Sequence, residues 1–272
     1  MLDSLPGASL STRERVLIPA CITLITALAW AYLVHLDRQM SFEMEHDKMM
    51  AAMGMTMQMP WTAADVFFTF AMWAVMMAGM MAPAAAPVLL LFAGAQAKRG
   101  ERGAPLATAM FGLGYVAVWA GFSAGAALAQ GALHQAAMLS AAMAASSPHL
   151  AGAILIAAGA YQMTPWKSRC LTHCRSPLGF LMTNWRDGKL GALRMGLRHG
   201  VYCLGCCWAL MCVLFAVGVM NLVWVGALTG LVLLEKIGPK GALVARVAGA
   251  ALVVMGIVAM IIQSTPRLAW FG

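Results

Sequence analysis

Charge is scarce in this sequence. Only 10% of its 272 residues are Asp, Glu, Lys or Arg, against about 25% in an ordinary soluble domain. That shortage excludes a water-facing surface of normal polarity. Acidic residues are scarcest: ten Asp and Glu stand against 18 Lys and Arg, for a net charge of +8. The positive excess invites a nucleic-acid reading. The cations, however, sit in short stretches between apolar runs, where membrane proteins carry their orientation signals, so no nucleic-acid partner is expected. The string G-x-x-x-x-G-K-[ST] is missing, which excludes ATP-driven pumping by this chain alone. Heptads, low-complexity tracts and fixed-period repeats are missing too. No catalytic set stands out, which favours a role other than an enzyme's.

What is present is apolar. Hydrophobic residues make up 62% of the chain, and the mean hydropathy is +0.79. The expected fold class is all-α: a polytopic transmembrane helix bundle with about seven spans, each near the ~20 residues needed to cross a bilayer. The spans are read at about 16–34, 64–83, 106–128, 150–163, 200–220, 222–234 and 247–262, within a single transmembrane domain over 1–272. The first run is read as a retained anchor, with Ala27-Leu28-Ala29 as the one alternative signal-cleavage string. Pro83 and Pro87 predict a kink or a broken helix end. With a cytoplasmic N-terminus, the basic groups at 98–102, 167–198 and 236–246 all fall inside, and only Arg38, Lys48 and Arg267 fall outside. That asymmetry sets the orientation and supports the span count. Gly121/Gly125, Gly196/Gly200 and Gly226/Gly230 match G-x-x-x-G and suit close helix packing.

Sulfur is plentiful and unevenly placed. Of 24 methionines, Met40, Met44, Met49, Met50, Met53, Met55, Met57 and Met59 crowd the outer loop at 35–63, with His46 among them. Thioethers are soft ligands that select Cu(I), and they need no deprotonation. His46, Met49 and Met50 are therefore candidate ligands of an outer capture site. The alternative is an interfacial segment in which Met is a flexible apolar filler. In the second span Met72, Met76 and Met80 repeat at i, i+4, i+8, flanked by Met77 and Met81. The spacing stacks sulfurs on one helix face. It resembles the M-x-x-x-M signature of the eukaryotic copper importers over this helix alone.

Cysteine and histidine gather toward the other side. Cys170-Leu-Thr-His173-Cys174 lies in the basic cytoplasmic loop at 164–199, and His199 precedes Cys203-Leu-Gly-Cys206-Cys207 at the head of the fifth span. The i, i+3 and i, i+4 spacings let each group converge on one face. Together they offer thiolate and imidazole ligands for Cu(I), or for zinc. Arg169, Arg175 and Arg198 nearby predict lowered thiol pKa values. A redox pair, palmitoylation and plain packing remain open as alternatives. Glu235, at the end of the sixth span, is read as pairing with Lys236 or another basic neighbour.

The strings Trp73-x-x-Met76-Met77-x-x-Met80-Met81-x-Pro83, Ala160-Tyr161-Gln162-x-x-Pro165-x-Lys167-x-x-Cys170-Leu171-x-x-Cys174-Arg175 and Gly205-Cys206-Cys207-Trp208 resemble an uncharacterised bacterial family of predicted metal-binding integral membrane proteins. The likeness runs from about Ala64 to Pro239. It implies metal binding at Cys170, Cys174, Cys203, Cys206 and Cys207, and a multi-pass protein of the bacterial inner membrane. The expected partners are the lipid bilayer, a metal ion and a membrane or periplasmic protein. The expected function is handling of a soft metal, with Cu(I) bound, transferred or taken up. The alternative is a subunit or assembly factor of a membrane-bound copper oxidase or monooxygenase.

Overall fold

The computed structural model describes residues 12–52, 61–99, 103–140 and 143–264. Met53, Met55, Met57, Met59 and Arg267 lie outside them, as do the side chains of His46 and Met50. The described residues form nine helices: α1 (Thr12–Ala52), α2 (Ala63–Lys98), α3 (Ala104–Gln135), α4 (Pro148–Gln162), α5 (Pro165–Arg175), α6 (Pro177–Asn184), α7 (Gly188–Val217), α8 (Leu222–Ile237) and α9 (Gly241–Ser264). The all-α bundle expected from the sequence is what is found. Five helices, α1, α2, α3, α7 and α9, are long and apolar enough to cross a membrane. The 15 residues of α4 and 16 of α8 reach only about 22–24 Å at 1.5 Å per residue, short of a hydrocarbon core of about 30 Å. Seven expected spans thus correspond to five long helices and two shorter ones.

Boundaries moved where helix signals overrode loop signals. Residues 35–52, expected in the Met-rich loop, continue α1. Residues 164–199, expected as a loop, carry α5, α6 and the first turns of α7. The short helices begin at plain start signals. Thr164 caps α5 through its hydroxyl and Pro165 follows. Ser147 caps α4 in the same way ahead of Pro148. A side-chain oxygen at the cap satisfies an amide that no helical carbonyl can reach, and proline tolerates the first turn because its missing N–H has no partner there. Thr62 and Asp65 form a reciprocal capping box at the head of α2. Of the kink or broken end expected at Pro83 and Pro87, the broken end is absent: the helix runs on through both prolines to Lys98.

Small residues set two close crossings. At Gly196 of α7, an added Cβ would run into the backbone carbonyl of Phe111, and at Gly114 of α3 it would meet the backbone of Leu193 and Leu197. Between α4 and α9, a Cβ on Gly159 would stand 2.5 Å from the Gly249 carbonyl oxygen, and one on Gly256 would stand 2.7 Å from that of Gly152. Neither pair tolerates a side chain. By contrast, a Cβ at Gly121, Gly125 or Gly230 would meet nothing within 4 Å. Of the three G-x-x-x-G strings, Gly196/Gly200 is the one that packs helices tightly.

Candidate metal centre

The methionine strip of α2 faces inward. Met76, Met77, Met80 and Met81 are all 1% exposed or less, while Met72 is half-buried at the edge of the same cluster. Trp73 shares their face. Its indole N–H donates to Gln130 Oε1 at 2.8 Å, and its ring lies 5.2 Å from that of Phe215. The amphipathic spacing that stacked the sulfurs therefore places them in the core rather than against lipid.

At the lower end of this strip, Met81 meets α7. Its Sδ stands 4.0 Å from Cys207 Sγ. Cys203, Cys206 and Cys207 are buried on the same stretch of α7, as their spacing predicts. The α5 helix adds Cys174, whose sulfur is 3.9 Å from Cys206 Sγ. Two sulfurs bound at about 2.3 Å to one tetrahedral metal stand about 3.8 Å apart, so both pairs have a spacing compatible with a shared ion and with plain contact. Among the described residues, no three His, Cys, Asp or Glu side chains stand together as a finished ligand set. The centre is a pair of cysteines and a cysteine–methionine pair, with Cys203 beside them.

Polar neighbours surround Cys203. Tyr115 Oη of α3 lies 3.1 Å from its sulfur and donates to the Met81 carbonyl at 3.2 Å. Lys236 Nζ of α8 lies 2.8 Å from the same sulfur and 3.9 Å from Met81 Sδ. His199, one turn before Cys203, is 3% exposed and packs against Phe111, Tyr115 and Phe180. Its Nδ1 is buried without a hydrogen-bond partner. Buried ring nitrogens are normally satisfied, so this orphan is a free donor or ligand atom one turn from the thiols.

Other expected site residues fall elsewhere. His173 is exposed. Its Nδ1 lies 2.8 Å from the Arg169 carbonyl, and its ring stacks on Tyr202 at 4.3 Å between centroids. Cys170 is half-buried, with its sulfur against the backbone of Gly205, where an added Cβ would approach it to 2.8 Å. The expected lowering of thiol pKa values by arginine is reversed on α5. Burial pushes the Cys170 thiol up, and hydrogen bonds to Cys203 and Cys206 push the Cys174 thiol well up. Two of the three arginines are engaged elsewhere. Arg175 donates to the Glu235 carbonyl at 2.6 Å, and Arg198 lies over the Tyr202 ring. Met49 is 60% exposed on α1.

Sequence reasoning singled out Glu235 and a basic neighbour but missed Lys167 and Gln162 as its partners in a second buried polar group. Glu235 pairs with Lys167 at 2.6 Å, both side chains being 1% exposed, and accepts from Gln162 Nε2 at 2.8 Å. Lys167 also donates to Gln162 Oε1. The partner of Glu235 is thus Lys167 and not Lys236, because consecutive helix residues point about 100° apart. The signal was present: two opposite charges, Glu235 and Lys236, close an otherwise apolar run, where ionisable groups are functional by default.

No curated protein and no solved structure matches the chain. A family match does exist, and it spans the whole region just described, from the inward-facing strip of α2 through the cysteines of α5 and α7 to α9. Over residues 70–259 the sequence fits PpoB2, copper chaperone, and the chain belongs to that family.

Proposed function

We propose that this chain is an integral membrane protein that accepts Cu(I) and hands it on. Met81, Cys174, Cys203, Cys206 and Cys207 form the holding point, with His199 beside it. The observation that supports this most is the gathering of thioether and thiol sulfur inside an apolar bundle, at one end of a buried methionine strip. Such a donor set favours a soft cation over the hard ions of the cell. Met72, Met76, Met77, Met80 and Met81 span about 14 Å along α2 at 1.5 Å per residue and lead to the thiols. Movement from thioether to thiolate runs from weaker to stronger ligand. His46, Met49 and Met50 on the distal part of α1 are the proposed point of capture. Cys170 and His173 line the way out toward a receiving protein. Zinc is a competitor for the same thiols.

In this reading α4 and α8 are the two short members of seven spans. The N-terminus is cytoplasmic, and the membrane is the bacterial inner membrane. Reporter fusions at the C-terminus and in the α5–α6 segment test the topology: a cytoplasmic α5–α6 segment with an outer C-terminus fits seven spans, and an outer α5–α6 segment excludes them. The family's description favours one sharper role, delivery of copper to an apo-enzyme in the membrane, such as an oxidase or monooxygenase, with this chain as assembly factor.

The deciding experiment is metal analysis of full-length protein purified without oxygen from copper-supplied cells. About one copper per chain is expected, lost in Cys203→Ser and in Cys206→Ser, as a site held by thiolates requires. Metal-free wild-type protein would sink the reading.

A further inference from the structure

The metal-holding reading leaves one neighbour unexplained, a lysine among the sulfurs. Lys236 is 7% exposed, and its Nζ reaches Cys203 Sγ at 2.8 Å and Met81 Sδ at 3.9 Å. A buried ammonium needs an anion beside it. The nearest carboxylate in sequence, Glu235, is engaged with Lys167 and Gln162. The group within its reach is the Cys203 sulfur. Glu235 is the positioning residue: its bonds to α4 and α5, together with the Arg175 bond to its carbonyl, anchor the last turn of α8 and so aim Lys236 into the sulfurs.

We propose that Lys236 is a fixed countercharge that makes this sulfur site select a monovalent soft cation over a divalent one. The inference rests on the site holding metal. When Cu(I) enters between two thiols, both release their protons to water. Two thiolates, one monocation and the ammonium sum to zero. A dication in the same place leaves a net positive charge buried unless yet another thiol is deprotonated. At a given distance the ammonium also repels it twice as strongly. Buried net charge is costly in an apolar bundle, so the lysine discriminates by charge where the sulfurs discriminate by softness.

The test uses full-length protein under anaerobic conditions, with Cu(I) and Zn(II) affinities measured separately against chelators. In Lys236→Met and Lys236→Gln the preference for Cu(I) over Zn(II) falls by about tenfold or more, whereas Lys236→Arg keeps it, because the difference lies in charge. A merely structural lesion lowers both affinities together. An unchanged ratio in a folded neutral variant, judged by helical circular dichroism, overturns the inference while leaving the copper reading intact. Wild-type protein that binds no Cu(I) overturns the copper reading itself. Should neither neutral variant fold, wild-type protein titrated with Ag(I) and Cd(II) decides. One Ag(I) bound with no cadmium–thiolate absorption supports the countercharge, and cadmium–thiolate absorption overturns it.

Discussion

Two lysines are buried in this bundle, and their surroundings differ in kind. Lys167 sits among oxygens, bonded to Gln162 and Glu235. Lys236 sits among sulfurs, against Cys203 and Met81. The first belongs to a closed group in which the charge has a carboxylate partner and that carboxylate has a second donor. Such a group locks helices together, here α4, α5 and α8. The second faces thiols, which stay comfortable in an apolar core as neutral groups and become metal ligands when they lose their protons. One helix turn, through Glu235 and Lys236, carries both. The contrast separates a centre closed by its own hydrogen bonds from a centre lined by sulfur.

The oxygen-lined lysine gives the largest expected effect. Lys167→Met leaves Glu235 buried without its counter-ion, and breaking a buried pair in this way costs about 3–5 kcal/mol. Thermal unfolding in detergent should show the loss. The double variant Lys167→Met/Glu235→Leu should recover most of it, since replacing both partners by apolar groups is often neutral or stabilising. If Glu235 also aims Lys236, the double variant will be stable yet altered in its Cu(I)-to-Zn(II) preference. A stable double variant with wild-type preference would separate the two centres and end the positioning role.

A smaller loss belongs to the frame that holds both centres. Gly196→Ala forces a Cβ against the Phe111 carbonyl where α7 meets α3. Overpacking of this sort costs about 1–3 kcal/mol. Gly121→Ala, with open space at its Cβ, should stay within about 0.5 kcal/mol. The same unfolding assay compares them. Equal effects would mean that the α3–α7 crossing yields more easily than its backbone contact implies.

These glycines also show how far the sequence could be read. The motif G-x-x-x-G occurs three times and identifies one tight crossing, because a small residue matters only where another helix arrives. The α4–α9 crossing uses Gly152, Gly159, Gly249 and Gly256, spaced by seven, a repeat that carries no helix-specific motif. Apolar run length made the bundle legible. It did not distinguish α4 and α8, at 15 and 16 residues, from the longer helices, because hydropathy measures composition and not reach. Within the site, the α7 thiols and the α2 thioethers were legible from i, i+3 and i, i+4 spacing, since one helix determines which of its own residues share a face. Lys236 and Tyr115 were not, because they come from other helices and meet Cys203 only through packing. His173 adjoins Cys174 too closely to share its face, since consecutive helix residues point about 100° apart, and its ring lies on Tyr202.

The sulfur-lined lysine should cost less to neutralise than its oxygen-lined counterpart. In Lys236→Met the unbranched side chain fills the same space, and Cys203 remains as a neutral thiol. The expected loss is about 1 kcal/mol, that of one hydrogen bond. A loss as large as that of Lys167→Met would show that Lys236 is a structural ion pair of the same kind, and the distinction between the two centres would fall.

Tyr115→Phe is the finest probe of that distinction. It removes a hydroxyl that donates to the Met81 carbonyl and touches Cys203 Sγ while preserving the ring beside His199. The stability loss should be about 0.5–1.5 kcal/mol, that of a single buried hydrogen bond. The Lys236–Cys203 contact survives the change, so the preference for Cu(I) over Zn(II) should hold even as copper affinity shifts slightly. If the preference instead falls as far as in Lys236→Met, the discrimination comes from the orientation of Cys203 rather than from charge. The two lysines would then differ in their neighbours without differing in their work.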